Sequence, residues 1–272
     1  MLKIATFAKP ETVIANFKNP LFKMNKKNIR FKILIIVLFI GKAAFAQQNL
    51  FNIPSGDVNE KNKIFYQHQI NLYQNNFESK AHFVYGIGNG WDIGLNLVGK
   101  GFFFSPEWRV IYNDNPNKGA LYPYLMPTIQ KQFTLKDNLR FNIGTQSGFN
   151  LSSRLSNKEF AFFNYGLGVY YFNDKKSRII LGAYHTNRFF VGQGNTFGAL
   201  FGYEIKVAKR FYLMGDWLSG NNESSVGVFG AMYNVSKRVQ LCAGALIPNP
   251  DTPKPHGFVL EVNIMTWDLK LD

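Results

Sequence analysis

Four histidines and one cysteine are the residues whose types lend themselves most readily to metal binding or nucleophilic chemistry. Their spacing argues against both. His68, His82, His185 and His256 are dispersed, with no i, i+4 pair and no H-x-x-x-H, so the ligand spacing of a metal site is absent. The run His185-Thr186-Asn187-Arg188 invites comparison with membrane-embedded lipid hydrolases, which set a histidine and a serine near an outer strand end. A triad needs a nucleophile, a base and an orienting acid in contact. No serine stands two positions after His185, so a polar strand terminus is the plainer reading and a lipid hydrolase the lesser alternative. Cys242 has no partner for an internal disulfide and reads as a small residue on a strand face. The expectation is a protein that is not an enzyme and takes no metal or cofactor.

A second set of polar residues recurs at every other position between apolar ones. It comprises Gln67, Gln69, Asn71, Lys80, His82, Asp92, Asn96, Arg140, Asn142, Gln146, Asn164, Glu204, Lys206, Asp216, Glu261 and Asn263. In a chain whose other strand face meets lipid, such groups must point into a lumen, because lipid cannot hydrogen-bond them. Two readings stay open. They fill and hydrate a narrow interior, or they line a solute path and select what passes, as charged rings do in pores.

The elements that must hold these residues are long strands. From Phe197 to Ile247 four segments alternate with a period of two: Phe197–Val207, Phe211–Trp217, Ser224–Val235 and Val239–Ile247. Similar patterns cover Ile64–Tyr73, Lys80–Ile87, Trp91–Leu97, Ala120–Phe133, Leu139–Leu151, Phe160–Phe172, Arg178–Phe189 and Phe258–Trp267. Pro123 and Pro127 weaken the fourth of these as a central strand, because proline donates nothing to a ladder. Short polar turns at Gly88–Gly90, Lys136–Asn138, Asn173–Ser177, Ala208–Arg210 and Ser236–Lys237 should share one end. The segment 104–119 then reads as an excursion at the other end, beside loops at Ser152–Lys158, Val191–Asn195, Gly220–Glu223 and Pro248–His256. No loop is long enough to be an obvious plug. Glycines 86, 94, 144, 166, 168, 182, 198 and 202 are expected on the lumen side, where they let strands curve. The predicted fold is all-β: one antiparallel up-and-down transmembrane barrel of about twelve strands, ten to fourteen being the range left open.

Composition agrees. Aromatics make up 16% of the 272 residues, a surplus that interfacial girdles and lipid-facing rings would use. The net charge of +14 does not point to nucleic acid, because residues 1–46 hold nine of the 31 basic residues and one acid. Lys26, Lys27, Arg30 and Lys32 precede the apolar run Ile33–Ile40, and Ala44-Phe45-Ala46 follows it. That is the layout of a secretory signal peptide cleaved between Ala46 and Gln47, too short to span a bilayer. The expected organisation is an upstream extension (1–23, if Met24 is the start), a signal peptide (24–46), a periplasmic lead-in (47–62), the barrel (63–268) and a tail (269–272).

Several motifs resemble a known family. They are Gly215-Asp216-Trp217-Leu218-Ser219-Gly220-Asn221-Asn222 with Gly227 and Tyr233, Ala243–Pro250, Gly257–Glu261, and Gly90–Asn96. Together they are similar to the outer-membrane barrels labelled transporter-like or "MetA-pathway of phenol degradation" proteins. The resemblance implies a barrel of this size in the outer membrane of a Gram-negative bacterium, moving small and in part hydrophobic compounds. It carries over no catalytic residue. The partners expected are outer-membrane lipid, the outer-membrane assembly machinery and a small-molecule solute whose identity the sequence does not give. Solute passage leads; a structural or surface-interaction barrel with a filled lumen is the alternative.

Overall fold

The computed structural model describes residues 49–151 and 158–268, the last three as backbone. The expected extension, signal peptide, its cleavage point and the tail lie outside these residues, as does the loop 152–157.

The alternating segments form strands, and the strands close. In chain order they are β1 (Lys63–Leu72), β2 (Asn76–Gly88), β3 (Trp91–Phe103), β4 (Arg109–Ile111), β5 (Tyr124–Lys136), β6 (Leu139–Asn150), β7 (Phe160–Phe172), β8 (Ser177–Thr186), β9 (Phe197–Lys206), β10 (Phe211–Leu218), β11 (Val226–Asn234), β12 (Val239–Pro248) and β13 (Gly257–Asp268). Each long strand pairs antiparallel with the next, β3 passes to β5, and β13 returns to β1, closing a twelve-strand up-and-down barrel. The short β4 only extends the end of β3, so the excursion expected at 104–119 stays out of the ring. Closure leaves the twelve-strand ring no free edge, as a membrane requires.

Three local features have plain causes. Pro127 sits inside β5, and the β5–β6 ladder skips Met126 and Pro127 without changing register, since proline has no N–H to offer. β8 ends at Thr186 rather than at Phe189. Asn187 there accepts from the Phe190 N–H and starts a single helical turn, α1 (Arg188–Val191), which dips into the barrel mouth. The β2–β3 hairpin needs positive φ at Gly88 (93°), Asn89 (54°) and Gly90 (74°), which these residue types supply.

The outward face carries two aromatic bands with an aliphatic belt between them. Trp91, Phe133, Phe141, Tyr170, Phe211 and Tyr233 stand exposed near the short-turn end; Phe149, Phe160, Phe197, Trp217 and Phe258 stand exposed near the long-loop end. Ile93, Leu95, Ile129, Ile143, Leu181 and Leu260 are exposed between them.

Candidate functional site: the lumen strap and the chamber above it

Residues 49–59, within the segment 47–62 expected as a periplasmic lead-in, run inside the barrel, and Glu60, Lys61 and Asn62 are exposed where it meets β1. Asn49 bridges to Pro54, and Leu50, Phe51 and Ile53 are at most 1% exposed. They pack against Leu167, Ile180, Leu200, Met214, Met232, Cys242 and Leu246 on the inner faces of β7–β12. A Cβ on Gly202 would lie 2.5 Å from Leu50 Cδ1, and one on Gly86 would lie 2.1 Å from the Glu60 carbonyl. These glycines leave room for the strap.

Carboxylates grip its backbone. Asp216 Oδ2 accepts from the N–H groups of Phe51 (2.9 Å), Asn52 and Ile53 (3.1 Å). Both oxygens of Asp92 accept from the Asn59 N–H at 3.0 Å. Gln130 and Gln132 donate to the carbonyls of Asp57 and Gly56. Arg178, 5% exposed, pairs with the strap's Asp57 and, at 2.8 Å, with Glu204; the Tyr171 hydroxyl donates to Asp57 at 2.9 Å. A cation buried between two carboxylates offsets its own desolvation only while both partners stay in place.

The structure therefore distributes the sequence-predicted lumen residues among several jobs. Asp92 and Asp216 hold the strap. Glu204 shares Arg178. Gln67, Gln69, Asn71, Glu261 and Asn263 form a buried polar patch on β1 and β13, in which Gln69 donates to Asn71 and Asn263 to Glu261, each at 2.8 Å. Asn142 is buried below Gly56, and Arg140 stacks on the Tyr171 ring at 4.8 Å. Lys206 lines a vestibule at the short-turn end. Lys80, His82, Asn96 and Gln146 line a chamber on the long-loop side of the strap; Asn96 donates to Gln146 at 2.7 Å.

Asn164 does not belong with them. It is exposed on the outer face of β7 opposite His185, because Phe163, Leu167 and Val169 take the inner face. The same parity turns Gly166 and Gly168 outward. His185 itself lies outside the barrel, its ring 5.3 Å from that of Phe162. Arg178, Asp57, Glu78, Gln130 and Lys254 carry no local mark in the sequence, because the contacts Gln130–Asp57, Arg178–Asp57 and Lys254–Glu78 span 73, 121 and 176 residues.

The chamber holds a cavity of about 150 Å³. The inward turn α1 roofs it: Phe190 lies 5.8 Å from Phe163 and 6.2 Å from Tyr124, and the Phe189 carbonyl accepts from Leu121 N–H and Tyr124 OH. Glu78 and Lys254 form an ion pair at 2.8 Å on its wall, beside Tyr73 and Tyr122. Burial disfavours the Lys254 ammonium, but the Glu78 carboxylate beside it holds it above the usual lysine range. Glu223 joins three outer loops: its Oε1 accepts from Ala120 N–H at 2.8 Å, and its own N–H donates to the Val191 carbonyl. Burial pushes its carboxyl above the usual range. Among the described residues no group of three or more His, Cys, Asp or Glu could hold a metal ion.

No family model and no curated protein matches the chain. Solved structures similar to it include an outer-membrane channel of Pseudomonas putida F1, at 15% identity over 75% of this chain and 94% of that one, TM-score 0.44. A Pseudomonas aeruginosa FadL homologue is similar at 9% identity over 83% and 96%, TM-score 0.35. The channel DcaP of Acinetobacter baumannii is similar at 8% identity over 78% and 97%, TM-score 0.31.

Proposed function

We propose that this chain is an outer-membrane β-barrel of a Gram-negative bacterium that admits small solutes to a chamber in its lumen, with the strap as the barrier between chamber and periplasm. The observation that carries the reading is one wall with two solvents. Its outer face is an aliphatic belt between aromatic bands, as lipid demands, while its inner face encloses a cavity lined by both apolar and polar groups. Short turns lie on the periplasmic side, so the chamber opens outward. The barrel meets outer-membrane lipid and is inserted by the outer-membrane assembly machinery. Membership of the transporter-like, "MetA-pathway" family is part of the same proposal and rests on the motifs given above.

Planar-bilayer conductance of the refolded full chain tests it. The native protein should pass small steps or none, since the strap is seated. The double variant Asp92→Ala/Asp216→Ala, which removes every carboxylate described above as accepting from the strap's N–H groups, should loosen the strap and give larger discrete steps. A folded double variant that passes no current refutes solute passage and leaves a barrel whose filled lumen is structural.

A further inference from the structure

The charged groups that line the chamber are nearly all spoken for. Glu78 pairs with Lys254, Glu223 accepts from the Ala120 backbone, and Asp92 accepts from the Asn59 backbone. Lys80 differs. Its Nζ donates to a neutral amide, Asn52 Oδ1, at 3.0 Å, and among the described residues no carboxylate lies within ion-pair distance. An ammonium carries three donors, and the bond to Asn52 uses one of them. The Asn52 amide is assigned with Oδ1 toward Lys80, because an ammonium can only donate, and Gln69 Nε2 reaches the same oxygen at 3.4 Å. Asn52 Nδ2 is consequently the free end, and it is buried without a partner. A lone buried donor and a spare cation side by side are costly unless something accepts from them.

We infer that the chamber takes a small amphipathic monocarboxylate about one aromatic ring in size, its carboxylate on Lys80 Nζ and Asn52 Nδ2 and its apolar body against Leu121, Tyr124, Phe163 and Phe190. Size comes from the cavity: about 150 Å³ is the space that holds a benzene in an apolar protein interior. Charge comes from the wall. Glu78 and Lys254 pair with each other, and Asp92 and Glu223 already place two carboxylates on the same wall. Among the described residues Lys80 is thus the one lining cation left for an anion, and a dianion would add a further unpaired negative charge. The inference rests on the chamber being a solute site, as proposed above.

Calorimetric titration of the detergent-purified full chain with benzoate and with benzyl alcohol, its neutral counterpart, separates the two ideas. Lys80→Gln keeps a donor for Asn52 Oδ1 and loses the charge. It should weaken benzoate roughly tenfold or more and leave benzyl alcohol unchanged, while Lys80→Arg should keep benzoate binding. Asn52→Ala removes the second donor from the strap and should weaken benzoate alone, which covers the case of Lys80→Gln failing to show a heat-modifiable folded band. Benzyl alcohol binding without benzoate, or benzoate binding indifferent to both Lys80→Gln and Asn52→Ala, overturns the carboxylate and leaves the chamber. Neither compound binding overturns this inference; a strap-release variant that still conducts would show that solute passage survives it.

Discussion

From β7 round to β12 the lumen wall is mostly apolar; from β13 through β1 to β6 it is mostly polar. The first half presents Phe163, Leu167, Val169, Ile180, Leu200, Met214, Val228, Met232 and Leu246 to the interior. The second presents Gln67, Gln69, Asn71, His82, Asp92, Asn96, Gln130 and Asn142. Both halves face the same lumen, so the difference reports what each half touches. The apolar half packs on Leu50, Phe51 and Ile53 of the strap, with Asp216 as its one carboxylate described on the strap's N–H groups. The polar half meets the strap's backbone through Asp92, Gln130 and Gln132 and lines much of the chamber. An inner wall is polar where its neighbour is water or backbone, and apolar where a chain segment fills the lumen.

The largest effect should come where a charge crosses into the apolar half. Arg178 is buried with Asp57 of the strap and Glu204 of β9. Arg178→Ala strands both carboxylates, at a cost of about 4 kcal/mol. Denaturant unfolding of the barrel in detergent, followed by tryptophan fluorescence, should shift accordingly, and the strap should become accessible to protease. An Arg178→Ala variant as stable as wild type would mean that the strap's seat owes nothing to this triad.

The halves can then be compared directly. Phe51→Ala removes an aromatic ring buried to 1% exposure against the apolar half and should cost about 3 kcal/mol. Gln130→Ala removes one donor to the Asp57 carbonyl on the polar half and should cost about 1 kcal/mol. The same unfolding assay reads both. Equal losses would contradict the division of labour, and a larger loss at Gln130 would reverse it.

That division also explains how much was legible in the sequence. Strand positions, the outward belt and the ring count follow from alternation and turn chemistry alone, down to Phe160–Phe172 for β7. Alternation shows that a strand has two faces; polarity must say which is inside. On β1 and β3 it does, through Gln67, Gln69, Asp92 and Asn96. On β7 it fails, because Ala161, Phe163, Leu167 and Val169 are as apolar as the outward residues, leaving Asn164 as a misleading clue. The strap itself has no period to detect. Its short polar run Pro54-Ser55-Gly56-Asp57 reads as a linker, and its contacts with Asp216 span 163 to 165 residues. Long-range hydrogen bonds of this kind leave no local pattern.

The smallest effect lies at the mouth, where neither half of the wall decides. Glu223 links the loop before β5, the turn α1 and the loop after β10 through Ala120 and Val191. Burial raises its carboxyl above the ordinary glutamate value, a penalty on the charged form that outweighs the Ala120 N–H, which favours it. A group with a raised folded pKa contributes stability that is fully present below its unfolded value and is lost as pH rises through the folded one. The three loops should therefore be most tightly joined under acid conditions and loosen as pH rises through the elevated range. Limited proteolysis of the outer loops across that range should show the change in native protein. Glu223→Gln can still accept from Ala120 but carries no charge, so its protection should stay flat with pH. If native and variant proteins share the same pH-dependent curve, another titrating group controls the mouth. If both are flat, the mouth is set by packing around Phe190 and Tyr124, and the electrostatics of this barrel are confined to the strap and the chamber.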